Sequence, residues 1–368
     1  MYIYGQFVQA EVILYTRDMK LPPQQLVKNG KAVFGTFVGA PETFSIRGVK
    51  APFGGMHFPR FITNFRIKSR LSYTFVTENF AGNIDFFDAK LFGYVELVLW
   101  DRQTCKKLAY RSFIGPRRRL VPKNLVKASC SNLSRSRKIK VNWDRAKDML
   151  RISFAIKGDS ARPGINGNFI SHFSGPQTAE TCSVMPWPRT NRCSAAYHFS
   201  SRMEGRLSLC YKKEPEQTEI TASGLAFMDI NRTLYKFHTQ TEYVTGIGMA
   251  DGVPVTFRLA QMQEDAVQSD EYNENMLYIQ NAVTPLPPVL ITHPYGIEKK
   301  WIIQDTEGMV DLEFDPLSVH TRSISALVVK SKYYILYGSF EGTILDKNGT
   351  KYSLKGFSGT AKQQDIRI

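Results

Sequence analysis

Two polar runs interrupt apolar, strand-like sequence, and they hold the residue types that could do acid–base work. Asp229-Ile230-Asn231-Arg232 follows Leu225-Ala226-Phe227-Met228. Ser269-Asp270-Glu271-Tyr272-Asn273-Glu274-Asn275 precedes Met276-Leu277-Tyr278-Ile279. A carboxylate and a guanidinium beside an apolar strand can form a buried ion pair, which organises a barrel mouth but costs desolvation. The same carboxylates could act as general acid and base. Asp229, Arg232, Glu274 and Asn275 are therefore read as one ligand or core network, with structural pairing expected and catalysis as the alternative.

Other chemistries find no local motif. The six histidines never fall at H-x-H or H-x3-H spacing, and the five cysteines include no CxxC pair. No metal site and no cofactor is expected. Gly246-Ile247-Gly248 and Gly54-Gly55 lack the helix that a phosphate cradle needs, so they read as turn or strand-edge glycines. GxSxG and Walker sequences are absent.

Charge supplies a second candidate. The chain carries 48 Lys and Arg against 33 Asp and Glu, a net +15. Between Arg117 and Arg151 stand twelve basic residues opposed only by Asp144 and Asp148, so this stretch holds about two thirds of the net charge. It reads as a solvated excursion from a β framework. Arg117, Arg118, Arg119, Arg135, Arg137, Lys138 and Lys140 are the residues expected to meet a polyanion, either an acidic protein assembly or an anionic membrane surface. Nucleic acid is the weaker partner, because Trp143 is the only aromatic residue in the cluster available for stacking.

The elements that must position these residues are strands. Val255, Phe257 and Leu259 alternate with Thr256, Arg258 and Ala260, and Val310, Leu312 and Phe314 alternate with Asp311, Glu313 and Asp315. Each segment predicts a half-buried antiparallel strand. The run 325–345 holds two strands' worth of β-branched and aromatic residues. Asn348-Gly349 and Asp251-Gly252 are hairpin signals, and Asp101–Lys106 links another probable pair. Helix is expected only over 21–28 and 144–150. The fold class is all-β, two consecutive antiparallel barrel or sandwich halves packed together. The expected division is 1–157 with a basic insert at 117–151, a Gly/Pro/Ser-rich connection at 158–195, and a second half at 196–368. The first twenty residues lack a basic n-region, and no window reaches the ~20 apolar residues of a spanning helix, so a cytoplasmic protein with reduced thiols is expected.

The C-terminal residues resemble the family known as domain of unknown function 2804. Tyr337-Gly338-Ser339-Phe340-Glu341-Gly342-Thr343, Lys347-Asn348-Gly349-Thr350, Gly359-Thr360-Ala361 and Arg367 are similar to its closing hairpin and tail. Asp229–Arg232 resembles its D-x-x-R motif, Glu274–Tyr278 its glutamate–asparagine motif, and Gly252–Val255 and 286–314 follow its spacing. The resemblance covers residues 30–368, loosely over 64–94. It implies a lipocalin-like double-barrel architecture shared with carotenoid hydratases and a yeast ceramide-transfer factor. The chain departs from the pattern: Ile230 follows the aspartate, no Trp occurs between Trp187 and Trp301, Lys362 replaces a usual acid, and Ile368 replaces a usual Trp. A divergent member is implied. The expected function is non-enzymatic binding of an apolar, lipid-like small molecule in a barrel interior, or of a partner surface. One alternative is a structural subunit whose basic loop docks on a cytoskeletal polymer, a membrane or a ribonucleoprotein. The other is a hydratase- or isomerase-like enzyme using Asp229 and Glu274.

Overall fold

Period-two sequence makes strands here, and in the centre of the molecule both faces of those strands are covered. In Ile67–Thr77, Leu71, Tyr73 and Phe75 point one way and Arg70, Ser72 and Thr74 the other, and every residue of the strand is buried. Phe80–Asp88 is likewise buried throughout. The computed structural model describes residues 15, 17–55, 58–115, 120–211, 218–261, 267–326 and 329–367.

Two sheets carry the fold, a nearly closed barrel and a half-barrel packed against it. The barrel path runs in space as Lys107–Ile114, Gly93–Asp101, Phe80–Asp88, Ile67–Thr77, Thr218–Leu234, Ser194–Cys210, Gly164–Ser171, Met149–Ile156, Arg137–Asp144 and Lys127–Leu133. Ala179–Met185 and Gly35–Val38 extend it beside Ser194–Ser200. The half-barrel path runs Ala282–Pro285, Met276–Ile279, Val253–Gln261, His238–Ala250, Lys351–Arg367, Val329–Leu345, Val310–Ala326, Trp301–Gln304 and Leu290–Thr292. Side chains tie Lys107–Ile114 to the turn before Gly164–Ser171 and to the start of Arg137–Asp144. Tyr110 Oη donates to Pro163 O at 2.5 Å, Arg162 Nη1 to Ala109 O at 2.5 Å, and Arg137 Nη1 to Arg111 O.

Rings occupy the barrel interior. Phe75 lies over Gly82 across the ladder and Phe154 over Gly167; a Cβ on either glycine would sit 2.3 or 2.2 Å from the ring. Phe169 stands between them, 5.0 Å from Phe75 and 5.7 Å from Phe154 between centroids. The half-barrel has its own core around Phe257, Trp301, Phe314 and Phe340. A third apolar cluster, with Trp100 stacked on Tyr337 at 5.5 Å, joins the outer face of the barrel to the half-barrel.

Several expectations are corrected. The 158–195 connection holds Gly164–Ser171 and Ala179–Met185, and Ser194–Leu234 belongs to the barrel, so the change of sheet falls between Leu234 and His238. The basic segment is no excursion: Lys127–Leu133, Arg137–Asp144 and Met149–Ile156 are barrel strands, with Ile139, Val141 and Trp143 inward and Lys138 and Lys140 outward. Charges on alternate positions are what an outward strand face carries. Arg258 and Thr256 are buried rather than solvated, because the half-barrel lays that face on the barrel. Helix is absent from 21–28, the 144–150 stretch holds only a 3-10 turn at Arg145–Lys147, and Arg60–Phe65 is helical. The 325–345 run gives one 17-residue strand, Val329–Leu345. Asp251-Gly252 is a hairpin turn with φ of 49° and 80°.

Gly82→Val should lower stability by about 1–3 kcal/mol in urea denaturation, since the added methyls meet the Phe75 ring. With Phe75→Ala in the same chain, the loss should be smaller than the sum of the two single changes.

Candidate functional site

Where the two sheets meet, the outward residues of the barrel include Arg70, Asp85, Glu96, His198 and Asp229. The facing residues of the half-barrel include Tyr243, Arg258, Arg322 and Lys362, all buried. Charge can be kept there only in pairs. Arg70 Nε lies 3.3 Å from Asp85, while its Nη1 and Nη2 donate to Tyr243 and Tyr94 at 3.1 and 3.3 Å. Arg322 Nη1 donates to Glu96 at 2.5 Å, and Arg111 Nε donates to the same carboxylate at 2.7 Å. His320 Nε2 lies 3.1 Å from it. Burial alone would raise the Glu96 pKa; the His320 hydrogen bond and the Arg322 charge outweigh it and bring it down to about 2. Lys362 Nζ donates to Ser72 Oγ at 2.7 Å, and burial pulls its pKa down to about 7.

One part of this layer borders open space. Arg258 Nη2 is 3.4 Å from Asp229 Oδ2 and 3.4 Å from Glu274 Oε1, with its guanidinium 3.5 Å over the Tyr243 ring. Asn231 Nδ2 donates to Asp229 Oδ1 at 2.5 Å, and His198 Nε2 lies 3.6 Å from that oxygen. Burial pulls His198 down to about 4, the Asp229 charge opposing it, so its imidazole is neutral at pH 7. Its Nδ1 meets Tyr278 Oη at 3.2 Å, and that hydroxyl meets Thr181 Oγ1 at 2.7 Å. Glu274 is pushed up to about 7 by burial, which the Arg258 charge only partly offsets and the Asp229 charge reinforces. Arg258 Nε and Nη1 carry no hydrogen bond among the described residues. A cleft of about 80 Å³ opens here, lined among others by Arg70, Trp187, Tyr235, Tyr243, Arg258 and Glu274. A carboxyl that titrates near neutrality, beside a guanidinium edge with bare donors, can give or take a proton and steady the resulting oxyanion.

The loop that presents Glu274 is fixed on both sides. Asn275 Oδ1 accepts from Ala260 N–H at 2.8 Å, and its Nδ2 donates to Pro287 O at 2.8 Å. Arg17 donates to Asn273 O and Asn275 O at 2.8 and 2.9 Å. Asn275 thus holds the backbone, while Glu274 turns to the cleft.

The family described as domain of unknown function (DUF2804) matches residues 24–367. The chain belongs to the DUF2804 family. No curated protein matches it. Among solved structures it is similar to CghA with Sch210972, at 11% identity and TM-score 0.45 over 95% of this chain and 98% of that one. It is similar to an AttH-like protein from Nitrosomonas europaea at 13% and 0.47, over 86% and 97%. It is also similar to kievitone hydratase from Nectria haematococca at 9% and 0.41, over 82% and 88%.

In this DUF2804 member the expected network forms only in part. Asp229 and Glu274 converge, but on Arg258. Arg232 lies on the opposite face of the strand, where Nη1 donates to Ser69 Oγ at 2.8 Å and Nη2 to Val121 O and Pro122 O at 3.1 and 2.8 Å. Positions i and i+3 of a strand project to opposite faces, so a D-x-x-R pair cannot close within one strand. Of the basic cluster, Arg135, Lys138 and Lys140 are exposed and Arg137 is half-buried; Arg117, Arg118 and Arg119 lie outside the described residues. Sequence reasoning missed Arg70, His198, Tyr243, Arg258 and Lys362. The available signal was a lone cation or histidine between apolar neighbours in a strand.

Asp229→Ala and Arg258→Met should each cost on the order of 3–5 kcal/mol, and the double variant should lose less than their sum by about 0.5–3 kcal/mol. Asp229→Ala with Arg232→Ala should be additive within about 0.5 kcal/mol, both cycles being read by urea denaturation. For pH, the folded pKa of Glu274 is raised, so its contribution to stability is complete below about 4.5 and lost as pH rises through about 7. The loss should be on the order of 3 kcal/mol and absent in Glu274→Gln. The Lys362 pKa is depressed, so its contribution changes between about 7 and its usual 10.5. His198, depressed from 6.5 to about 4, gains stability as pH rises through that range and opposes the loss, so the Glu274 contribution is read as the difference between wild type and Glu274→Gln.

Proposed function

We propose that this protein binds a small, largely apolar molecule in the inter-sheet cleft and exchanges a proton with it through Glu274. The reaction class is cofactor-free isomerisation, or addition and elimination of water. The observation that carries this reading is the shared guanidinium: Asp229 and Glu274 both approach Arg258 Nη2 at 3.4 Å, and Glu274 lies on the cleft wall with a pKa near 7. Two carboxylates in unlike surroundings can divide the work. Asp229, held by Asn231 and Arg258, supplies fixed charge; Glu274 carries the mobile proton. As Glu274 gives its proton, the carboxylate formed is held by Arg258. Arg258, on the cleft wall, would face an oxygen of the substrate that gains charge. Trp187, Tyr235 and Met185 supply the apolar wall. The cleft as it stands has room for about two or three waters, so a larger guest requires the Trp187 and Tyr235 loops to give way. The site is between the sheets rather than in the barrel, whose interior is occupied by the rings of Phe75, Phe154 and Phe169.

A carrier without turnover is the second reading, favoured by the aromatic lining, which holds an apolar body without any chemistry. Protein purified from its own host, weighed by native mass spectrometry and extracted with solvent, should yield a reproducible small-molecule adduct. Returned to the protein in D2O, that molecule should take up deuterium with the wild type and not with Glu274→Gln. Binding by both proteins with labelling by neither makes it a carrier. The absence of any adduct, with no shift of Trp187 fluorescence on adding the extract, removes the cleft as a ligand site.

A further inference from the structure

The end of the molecule beside the cleft exposes a set of apolar side chains among the described residues. Phe61 is 73% exposed, Phe237 73%, Leu91 48%, Phe65 42%, Phe58 41% and Ile62 36%. They come from three segments that meet. Lys68 Nζ donates to Phe65 O at 3.2 Å and to Ala89 O at 2.8 Å, tying the Arg60–Phe65 helix to the turn that carries Leu91. Arg66 Nη2 donates to Tyr235 O at 3.4 Å, tying it to the loop that carries Phe237. Arg192 Nε donates to Pro52 O at 2.6 Å and Asn191 Nδ2 to Ala51 O at 3.2 Å, so the loop that bears Trp187 is joined as well. Trp187 and Tyr235 line the cleft, so the apolar patch and the cleft share their loops.

Cations outnumber carboxylates around the patch. Segments 58–68, 88–92 and 186–193 carry Arg60, Arg66, Lys68, Lys90, Arg189 and Arg192 against one carboxylate, Asp88, which binds Lys90 at 2.6 Å. The cations feel one another: burial depresses Arg192, and the nearby Arg189 and Arg66 depress it further. Lys68 is drawn to about 8 by burial and then by Arg66 and Lys90. Apolar patches of this kind mark interaction surfaces. A second copy is a poor occupant, because a two-fold contact would set like charges together. An interfacial helix that shows aromatic residues among Lys and Arg is suited to the headgroup layer of an anionic bilayer.

We propose that this end of the molecule docks on an anionic lipid surface, with Phe61, Phe65 and Phe237 entering the headgroup layer and the exposed Arg60 and Arg189 facing lipid charge. The cleft would then open toward the bilayer, and its apolar guest would pass between the two. That passage rests on the function proposed above; the docking does not.

Flotation of the full chain with phosphatidylcholine vesicles, with and without roughly one third phosphatidylserine, tests it. The wild type should float with the anionic vesicles only. Phe61→Ser with Phe65→Ser, both exposed in the fold, should lower the bound fraction by about tenfold or more. Arg60→Glu with Arg189→Glu should lower it by about fivefold or more. Glu274→Gln and Lys138→Glu with Lys140→Glu should leave it unchanged. Phe61→Trp gives a direct reporter, whose emission should move to the blue on adding anionic vesicles and be quenched by brominated lipid. The proposal is overturned if the wild type does not float, if the phenylalanine pair makes no difference, or if binding follows Lys138 and Lys140 instead. Concentration-dependent dimerisation that Phe61→Ser with Phe65→Ser abolishes would assign the patch to a second copy and overturn it equally.

Discussion

A layer of charge sealed between two sheets governs this fold. Arg70, Arg258, Arg322 and Lys362 face Asp85, Glu96, Asp229 and Glu274 across a contact from which water is largely excluded. Each ion alone would cost several kcal/mol to bury, so every member is tolerable only while its partners stand in place. Arg258 and Arg322 of the half-barrel reach Asp229, Asp85 and Glu96 of the barrel, while Arg70–Asp85 and Arg258–Glu274 pair within one side. The relative position of the sheets is therefore fixed less by apolar fit, which tolerates sliding, than by the spacing of these charges. Tyr94, Tyr243 and Tyr333 work as spacers: guanidinium groups lie over their rings, at 3.8 Å for Arg322 on Tyr94 and 4.2 Å on Tyr333.

The layer is not uniform along its length. At the Glu96 end a carboxylate is surrounded by Arg322, Arg111 and His320, and its proton affinity falls. At the Glu274 end one guanidinium serves two carboxylates, and the proton affinity of Glu274 rises. The same residue types thus make a rigid clamp at one end and a responsive group at the other, and the difference is the ratio of cations to acids. Where cations are in excess the network is inert; where they are short it opens on a cleft.

The sequence made the strands legible because alternation survives wherever one face is wet, as in Val310–Phe314 or Ile139–Trp143. It misled where both faces are covered. Thr256 and Arg258 look like a solvated edge, yet they are buried, and the period is the same in either case. The connection at 158–195 was misjudged for a related reason: Gly, Pro and Ser mark turns, but Gly167 here makes room for Phe154 inside a ladder. Asp229 and Glu274 were legible as interruptions of apolar runs. Their partner was not, since nearness in sequence suggested Arg232, and nothing local says that residue 258 will lie opposite residue 229. That pairing is a product of how two sheets stack. The helix Arg60–Phe65 escaped notice because six residues with a mid-segment Thr-Asn give no helical period.

The barrel is, mechanically, a split ring. Along its path neighbouring strands are joined by backbone ladders, while the edge strand Lys107–Ile114 is held to the turn before Gly164–Ser171 and to the start of Arg137–Asp144 by Tyr110, Arg162 and Arg137 reaching to single carbonyls. A ladder dictates register residue by residue; three long side chains dictate only proximity. The ring can therefore change circumference slightly at that joint without unzipping any pair of strands.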